Sequence, residues 1–449
     1  VKIPADYLQR TPLLNEAGFR LWKAILEDQH APIWNHQVGD RIDSQDLGAV
    51  EAFRKRVLES GLGVPESTVD WVESMRTRNR AFEQLLPQGW RFLRWEELPT
   101  TSRDDFATRL EEFVPVDADL TELVVYDSSG TSGHAIRVPT HPSTLGMAHT
   151  LIERVFEAWG IEPDFRPDSM AALNVCAQEE TYVFANTFSV WNQSGFAKIN
   201  LREKDFSGGL ESAAAFLERW PAQLITSDPL SLSELMRLGL PASARLILST
   251  AVALSDEAAS TYSAHFGCPV VDWYSTTETG PIAFHGPKGW EFVAPDLFVE
   301  VLDPLGFQVA PGIVGDIAVT GGRNPYLPLF RYRTGDRAVM RQDGKGFERL
   351  EGRQNVVFQA RDGRHVNSVD VGRALRLVTI LAQHQITQWS DLSLELVLRP
   401  LPGVALDRAA ITRAMQEVLG DIPVSVVEDR DLGRDKKVEA YRVSSDEKE

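Results

Sequence analysis

Alternating helical and extended segments from Met147 to about Leu254 predict an α/β protein. Two later changes of character complete the fold class. Residues 291–349 shift to short strands with Gly and Pro turns. Near Gly352-Arg353 the pattern turns mixed again. The predicted architecture is a large N-terminal domain, residues 1–352, of layered α/β sheets plus a β-rich subdomain. A small α+β domain, residues 353–449, follows it. A chain of 449 residues is too long for one hydrophobic core.

Each region has its own signals. Residues 1 to about 100 read as mostly helical. Val50, Phe53, Val57 and Leu58 recur at helical spacing within Ala49 to Leu58. Ser67 with Asp70 resembles a capping box for a helix through Val69, Val72, Met75 and Phe82, which Pro87 must end. Trp34, Trp71, Trp90 and Trp95 are expected in the core, because aromatics dominate core burial. Leu123 to Tyr126 and Ala135 to Thr140 read as strands flanking a hydroxyl-rich loop. Helices are expected at Leu151 to Trp159, Gly209 to Trp220 and Ser231 to Leu238, with strands at Ala171 to Cys176, Gln223 to Thr226 and Arg245 to Ser249. In the C-terminal unit, Leu392 to Leu398 and Pro423 to Val427 read as strands around a helix, Asp407 to Leu419. The tail from Ser444 is polar and expected to fray.

Composition excludes several functions. The hydrophobic share of 43% and the charged share of 24% are those of a globular enzyme. No apolar run approaches the roughly 20 residues needed to cross a bilayer. No signal-peptide pattern opens the chain, so a cytoplasmic location without membrane attachment is expected. The net charge of −18 argues against a nucleic-acid surface. Cys176 and Cys268 lie far apart and cannot build a zinc cluster.

Three segments carry the chemistry. The first is Ser128-Ser129-Gly130-Thr131-Ser132-Gly133, whose hydroxyls and backbone amides suit an anion. It lacks the Gly-Lys-[Ser/Thr] of a Walker loop and leads into a strand. Taken alone, it reads equally as a polar hairpin turn. The second is Trp273-Tyr274-Ser275-Thr276-Thr277-Glu278. Its aromatics offer a face for an adenine base, Thr277 a contact to an α-phosphate, and Glu278 a hard oxygen ligand for Mg²⁺. The third is Tyr332-Arg333-Thr334-Gly335-Asp336, where Asp336 could accept hydrogen bonds from ribose hydroxyls. Together the three describe an ATP site.

These segments resemble those of the adenylate-forming superfamily of acyl-CoA synthetases, peptide-synthetase adenylation domains and luciferases. The resemblance runs from about residue 90 to the end. Within it, the run Asn324 to Asp336, the stretch Gln383-His384-Gln385-Ile386 and the chain length are similar to the phenylacetate–coenzyme A ligase group. The resemblance implies a two-step reaction. A carboxylate attacks the α-phosphate of Mg·ATP, giving an acyl-adenylate and pyrophosphate. A thiol, coenzyme A in most of the family, then displaces AMP. It also implies roles for single residues. Arg353 resembles the arginine near the ribose, and Asn355 stands near the hinge about which the small domain moves. Lys436 or Lys437 would contact the carboxylate and α-phosphate during adenylation. The turn Pro311 to Asp316 resembles a structural glycine/acid turn of the β-rich subdomain.

The chain departs from the family at several points. His134 stands where the phosphate loop carries lysine, Ser275 where glycine is common, and Ser249-Thr250-Ala251 where relatives have a Gly-Gly-Glu-like turn. Arg434 and Asp435 separate Gly433 from Lys436. The expected substrate is an aromatic or hydrophobic acid, whose pocket could draw on Tyr182, Phe184, Phe188 and Trp191, although such aromatics are more often core than pocket. Alternatives stay open: an acyl carrier protein or amine as acceptor, a non-carboxylate oxygen as the adenylated group, or a nucleotide-binding protein without turnover. The expected state is a monomer or homodimer.

Overall fold

The structure is a computed structural model describing residues 2–56, 65–127, 136–353, 356–434, 438–444 and 446, with Arg56 and Arg353 described by backbone only. The chain opens with helices α1 (Ala5–Arg10), α2 (Glu16–Leu26), α3 (Ser44–Arg56), α4 (Glu66–Arg76), α5 (Arg80–Leu85) and α6 (Arg103–Phe113). A hairpin of β1 (Val124–Asp127) and β2 (Arg137–Thr140) precedes α7 (Pro142–Ala158). Next come β3 (Met170–Cys176), β4 (Phe184–Phe188), β5 (Ser194–Asn200), α8 (Gly209–Arg219), β6 (Ala222–Ser227), α9 (Pro229–Arg237), β7 (Leu246–Ser249), α10 (Asp256–Phe266), β8 (Val270–Thr276), β9 (Gly280–Gly286) and β10 (Gly289–Phe292). Strands β11 (Phe298–Leu302), β12 (Val314–Gly321), β13 (Leu329–Met340) and β14 (Phe347–Arg353) form an antiparallel sheet in that order. The C-terminal unit holds β15 (Val357–Gln359), β16 (His365–Asn367), α11 (Ser368–Arg376), β17 (Leu381–Gln388), β18 (Leu394–Pro400), α12 (Arg408–Leu419), β19 (Val424–Glu428) and β20 (Tyr441–Val443).

The large sheet runs β10-β9-β8-β7-β6-β3-β5-β4. Its middle, from β5 through β8, is parallel, and antiparallel strands close both edges. Helices cover both faces, so the middle strands are apolar at nearly every position. Successive residues then divide between two cores. Leu173, Ile225, Ile247 and Val270 join α2, α8, α9 and α10 on one face. Ala172, Leu224, Leu248 and Val271 join α3 and α7 on the other. Each such Leu, Ile or Val side chain stabilises the fold by roughly 1.5–3 kcal/mol through removal from water. On the first face α2 comes close: a Cβ on Gly195 of β5 would lie 2.8 Å from Ile25 Cδ1. A third core joins α4, α5 and α6 to the four-stranded sheet.

Several expectations are corrected in detail. Helix α4 begins at Glu66 with Pro65 as its N-cap, so Ser67 lies inside the first turn rather than capping it. The expected single helix through Phe82 is two, because Asn79 accepts from Phe82 N–H and starts α5. Pro142 stops β2 but also opens α7 as its first helical residue, nine residues before the expected Leu151. Trp90 is buried, and Trp34, Trp71 and Trp95 pack against cores, as expected.

From Phe358 onward the chain builds a separate core of β15 to β19, α11 and α12. It meets the rest of the molecule at α9. Ala382 and Leu401 join the first core, and buried Glu234 lies 3.8 Å from Arg399 and 3.3 Å from Arg434.

Candidate active site

The site forms where β8 of the large sheet reaches β13 of the four-stranded sheet. Alternation along β8 separates its two aromatics. Trp273 packs in the core with Val271 and Phe284, 8% exposed. Tyr274 points the other way, toward the four-stranded sheet. The expected aromatic face for adenine therefore narrows to Tyr274. Its hydroxyl donates to Asp336 Oδ2 at 3.0 Å and lies 3.2 Å from Thr334 Oγ1. Gly335, at φ +84°, makes the local kink that only glycine adopts freely. The Asp336 N–H then folds back onto Thr334 Oγ1 at 3.1 Å. Asp336 is 9% exposed, and the β13–β14 register sets Arg353 directly opposite it. Two segments about 60 residues apart in sequence thus meet through one hydrogen-bonded triad.

Beyond β8 the chain turns through Thr277, Glu278 and Thr279. Thr276 Oγ1 accepts from Thr279 N–H at 3.1 Å. The buried Arg323 guanidinium donates to the carbonyls of Thr279 and Pro281 while gripping Asp296 bidentately at 2.7 and 2.8 Å. Thr277 is exposed at the tip. Glu278 is buried, and its carboxylate lies 3.2 Å from Arg103 Nη1.

Arg103 was missed in the sequence. It is the first residue of α6, whose start is set by Asp105 accepting from Ser102 N–H at 2.8 Å. Thr101 anchors that start to β13. Its hydroxyl donates to the Phe330 carbonyl at 2.8 Å, its N–H to Arg331 O at 3.2 Å, and its carbonyl accepts from Arg333 N–H at 2.8 Å. The strand carrying Asp336 therefore also carries the cation beside Glu278. One signal was available: a cation in the first turn of a helix opposes the macrodipole and calls for a partner.

The other site expectations divide. Asn324 links the hairpin to this region, donating to Pro139 O at 2.7 Å. Ser128, Ser129, Gly130, Thr131, Ser132, Gly133, His134, Asn355, Lys436 and Lys437 lie outside the described residues. Of the four aromatics expected at an acid pocket, Phe188 and Trp191 meet at 5.5 Å, and Phe184 packs on Phe196, which also touches Phe188. Trp191 stacks on Phe165 at 4.3 Å in the core, and Phe188 packs against Phe196. Tyr182 is exposed beside His36.

The chain has the fold of the adenylate-forming ligases. It is similar to two structures of 2-hydroxyisobutyryl-CoA ligase in the postadenylation state, one with 2-HIB-AMP and one with R3-HIB-AMP. Each has a TM-score of 0.60 and 16% identity, covering 90% of this chain and 89% of that chain. No family model and no curated protein matches the sequence. Among the described residues, no helix is long and apolar enough to cross a membrane.

Proposed function

We propose that the protein is an AMP-forming ligase of the phenylacetate–coenzyme A ligase-like branch. It activates an aromatic or other hydrophobic carboxylic acid with Mg·ATP and passes the acyl group to coenzyme A. What supports this reading is the Tyr274–Asp336 hydrogen bond and, on the turn that follows β8, the buried Glu278 beside Arg103, in a fold shared with an acyl-CoA ligase. In this assignment Asp336 and Arg353 hold the ribose and Tyr274 lies against the adenine. Thr277 meets the α-phosphate. Glu278 is one buried carboxylate, and Mg²⁺ takes one or two carboxylates together with phosphate oxygens, so the donor chemistry fits. When bound, Mg²⁺ neutralises charge on the phosphates. Arg103, which lies beside Glu278, would be the residue placed to offer a positive charge to the phosphate oxygens.

Activation is needed because a carboxylate resists nucleophiles, whereas a mixed anhydride carries a good leaving group. The protein's part is placement and charge complementarity at the α-phosphate. The unit from Arg353 onward acts as a lid hinged near Asn355. Lys436 or Lys437 is the adenylation lysine, and its substitution lowers adenylate formation more than thioester formation from added adenylate.

Pyrophosphate and AMP release with Mg·ATP, across aryl, aliphatic and amino acids with and without coenzyme A, tests the proposal. Acid-dependent AMP release that rises with coenzyme A is expected. Pyrophosphate release indifferent to coenzyme A would move the acceptor to a carrier protein or amine, or the chemistry to a non-carboxylate oxygen. ADP as product would overturn the proposal.

A further inference from the structure

Two units with separate cores meet at α9, and one buried carboxylate organises the contact. Helix α9 starts at the carboxyl end of β6, where Asp228 caps it by accepting from Leu230 and Ser231 N–H at 2.9 and 3.0 Å. Glu234, on this helix, is 4% exposed. Its carboxylate takes two bonds from Arg237 of the same helix, at 2.6 and 2.9 Å. Two further cations come from the C-terminal unit. Arg434 Nη2 lies 3.3 Å from Oε1, and Arg399 Nη2 lies 3.8 Å from Oε2. We propose that Glu234 is a positioning residue for adenylation, seating the turn of residues 429–434 on the rim of the large sheet. The proposal rests on the ligase reading above.

The turn is braced from within its own unit. Arg399, near the end of β18, is itself buried, and its second amino group donates to Leu432 O at 3.3 Å. Asp429 N–H donates to Leu398 O at 2.9 Å, and Asp431 holds Arg434 at 2.6 Å. Strand β18 and the turn therefore move as one body. Gly433 packs on the first turn of α9. A Cβ there would lie 2.8 Å from Leu230 Cδ1, and its φ of +79° suits glycine. The turn thus touches the rim two strands from β8, in the order β8-β7-β6. That is about 10 Å at ordinary strand spacing. Open α/β sheets bind ligands at this carboxyl-end rim. In sequence the turn leads directly to Lys436 and Lys437.

Charge suits a contact that must seat one geometry and then release it. The Arg237 guanidinium beside Glu234 holds its carboxyl below the usual range, and Arg434 and Arg399 add to the effect. Glu234 is therefore ionised at neutral pH. A buried ion cluster adds little net stability, because desolvation offsets attraction, yet losing one member is costly. Without the Glu234 charge, Arg399 stays buried against α9 with its carboxylate gone. An apolar contact such as that of Ala382 and Leu401 with the first core fixes no such register.

The test uses the full chain and the variants Glu234→Gln, Arg434→Gln and both together. Two half-reactions are measured separately with the most active acid of the panel above. One is pyrophosphate release with Mg·ATP, the other thioester formation from the supplied adenylate and coenzyme A. Each single variant should slow pyrophosphate release about tenfold or more, and the double variant no further, because either change breaks the same contact. Thioester formation should stay within about twofold of wild type. X-ray scattering from the ligand-free chain should show a larger maximum dimension for Glu234→Gln than for wild type. Equal losses in both half-reactions would make Glu234 a structural residue only and overturn the proposal. So would losses that multiply in the double variant, or scattering that the substitution leaves unchanged. If wild type forms no adenylate with any acid, the ligase reading falls, and scattering alone decides whether Glu234 seats the unit.

Discussion

The two ends of the candidate nucleotide site are built on different principles. At the nucleoside end, Tyr274, Thr334 and Asp336 are joined by hydrogen bonds between two strands, and register sets Arg353 opposite. At the phosphate end, Glu278 sits on a turn, held by charge against Arg103. Side-chain hydrogen bonds between residues anchored on strands fix position rigidly. A buried ion pair fixes position only until a stronger ion arrives, because each charge has lost its water. On the proposed function the first end is preformed for a neutral ribose. The second must exchange partners when Mg²⁺ and phosphates enter.

The comparison can be broken at its rigid end first. Asp336→Ala removes a carboxylate able to take two ribose hydroxyls at about 1.5 kcal/mol each. We expect kcat/KM for ATP to fall roughly a hundredfold. Unchanged ATP kinetics would remove Asp336 from the site. At the other end, Glu278→Gln should raise the Mg²⁺ needed for half-maximal rate by about tenfold or more, with smaller change at saturating Mg²⁺. Arg103→Ala strands a buried carboxylate and should cost about 3 kcal/mol of stability, the low end for a broken buried pair because Arg103 is partly exposed. If the pair exchanges as described, added Mg²⁺ recovers part of the lost melting temperature in this variant and much less in Glu278→Gln. Arg103→Lys should keep stability better than ATP affinity, since ammonium lacks the guanidinium fork. The smallest effect belongs to Tyr274→Phe, about 1 kcal/mol, or roughly fivefold in ATP KM.

Acidity sharpens the picture at the root of β8. Burial pushes the Asp272 carboxyl up from 3.8 to about 7. The folded state thus binds a proton that the unfolded state has released. This contribution to stability is full below pH 3.8 and is lost as pH rises through about 7. Asp272→Asn should flatten that part of the stability profile, measured by denaturant unfolding from pH 4 to pH 8. A wild-type profile parallel to that of the variant would place Asp272 in water.

Much was legible in the order of residues. The strands at Ala171, Gln223 and Arg245 lie within one residue of the observed ones, because parallel strands covered on both faces leave unbroken apolar runs. Helix starts were less legible. Ser67 carried the residue type of a cap, but Pro65 two positions earlier already had the right backbone. The aromatics of residues 182–191 divide in the structure, Trp191 stacking in the core and Tyr182 standing exposed, a distinction that composition does not contain.

Sequence alone determined the α/β class and the residue types Tyr274, Glu278 and Asp336 that suit a nucleotide. These follow from local periodicity and side-chain chemistry, which neighbours along the chain do not alter. Tertiary structure decided which of two adjacent aromatics faces the site, that Arg103 stands on Glu278, and that Arg399 and Arg434 close on Glu234. Each depends on which face of a strand is covered, or on helices and strands tens of residues apart being packed together. Such contacts arise from long-range burial, and no local pattern records them.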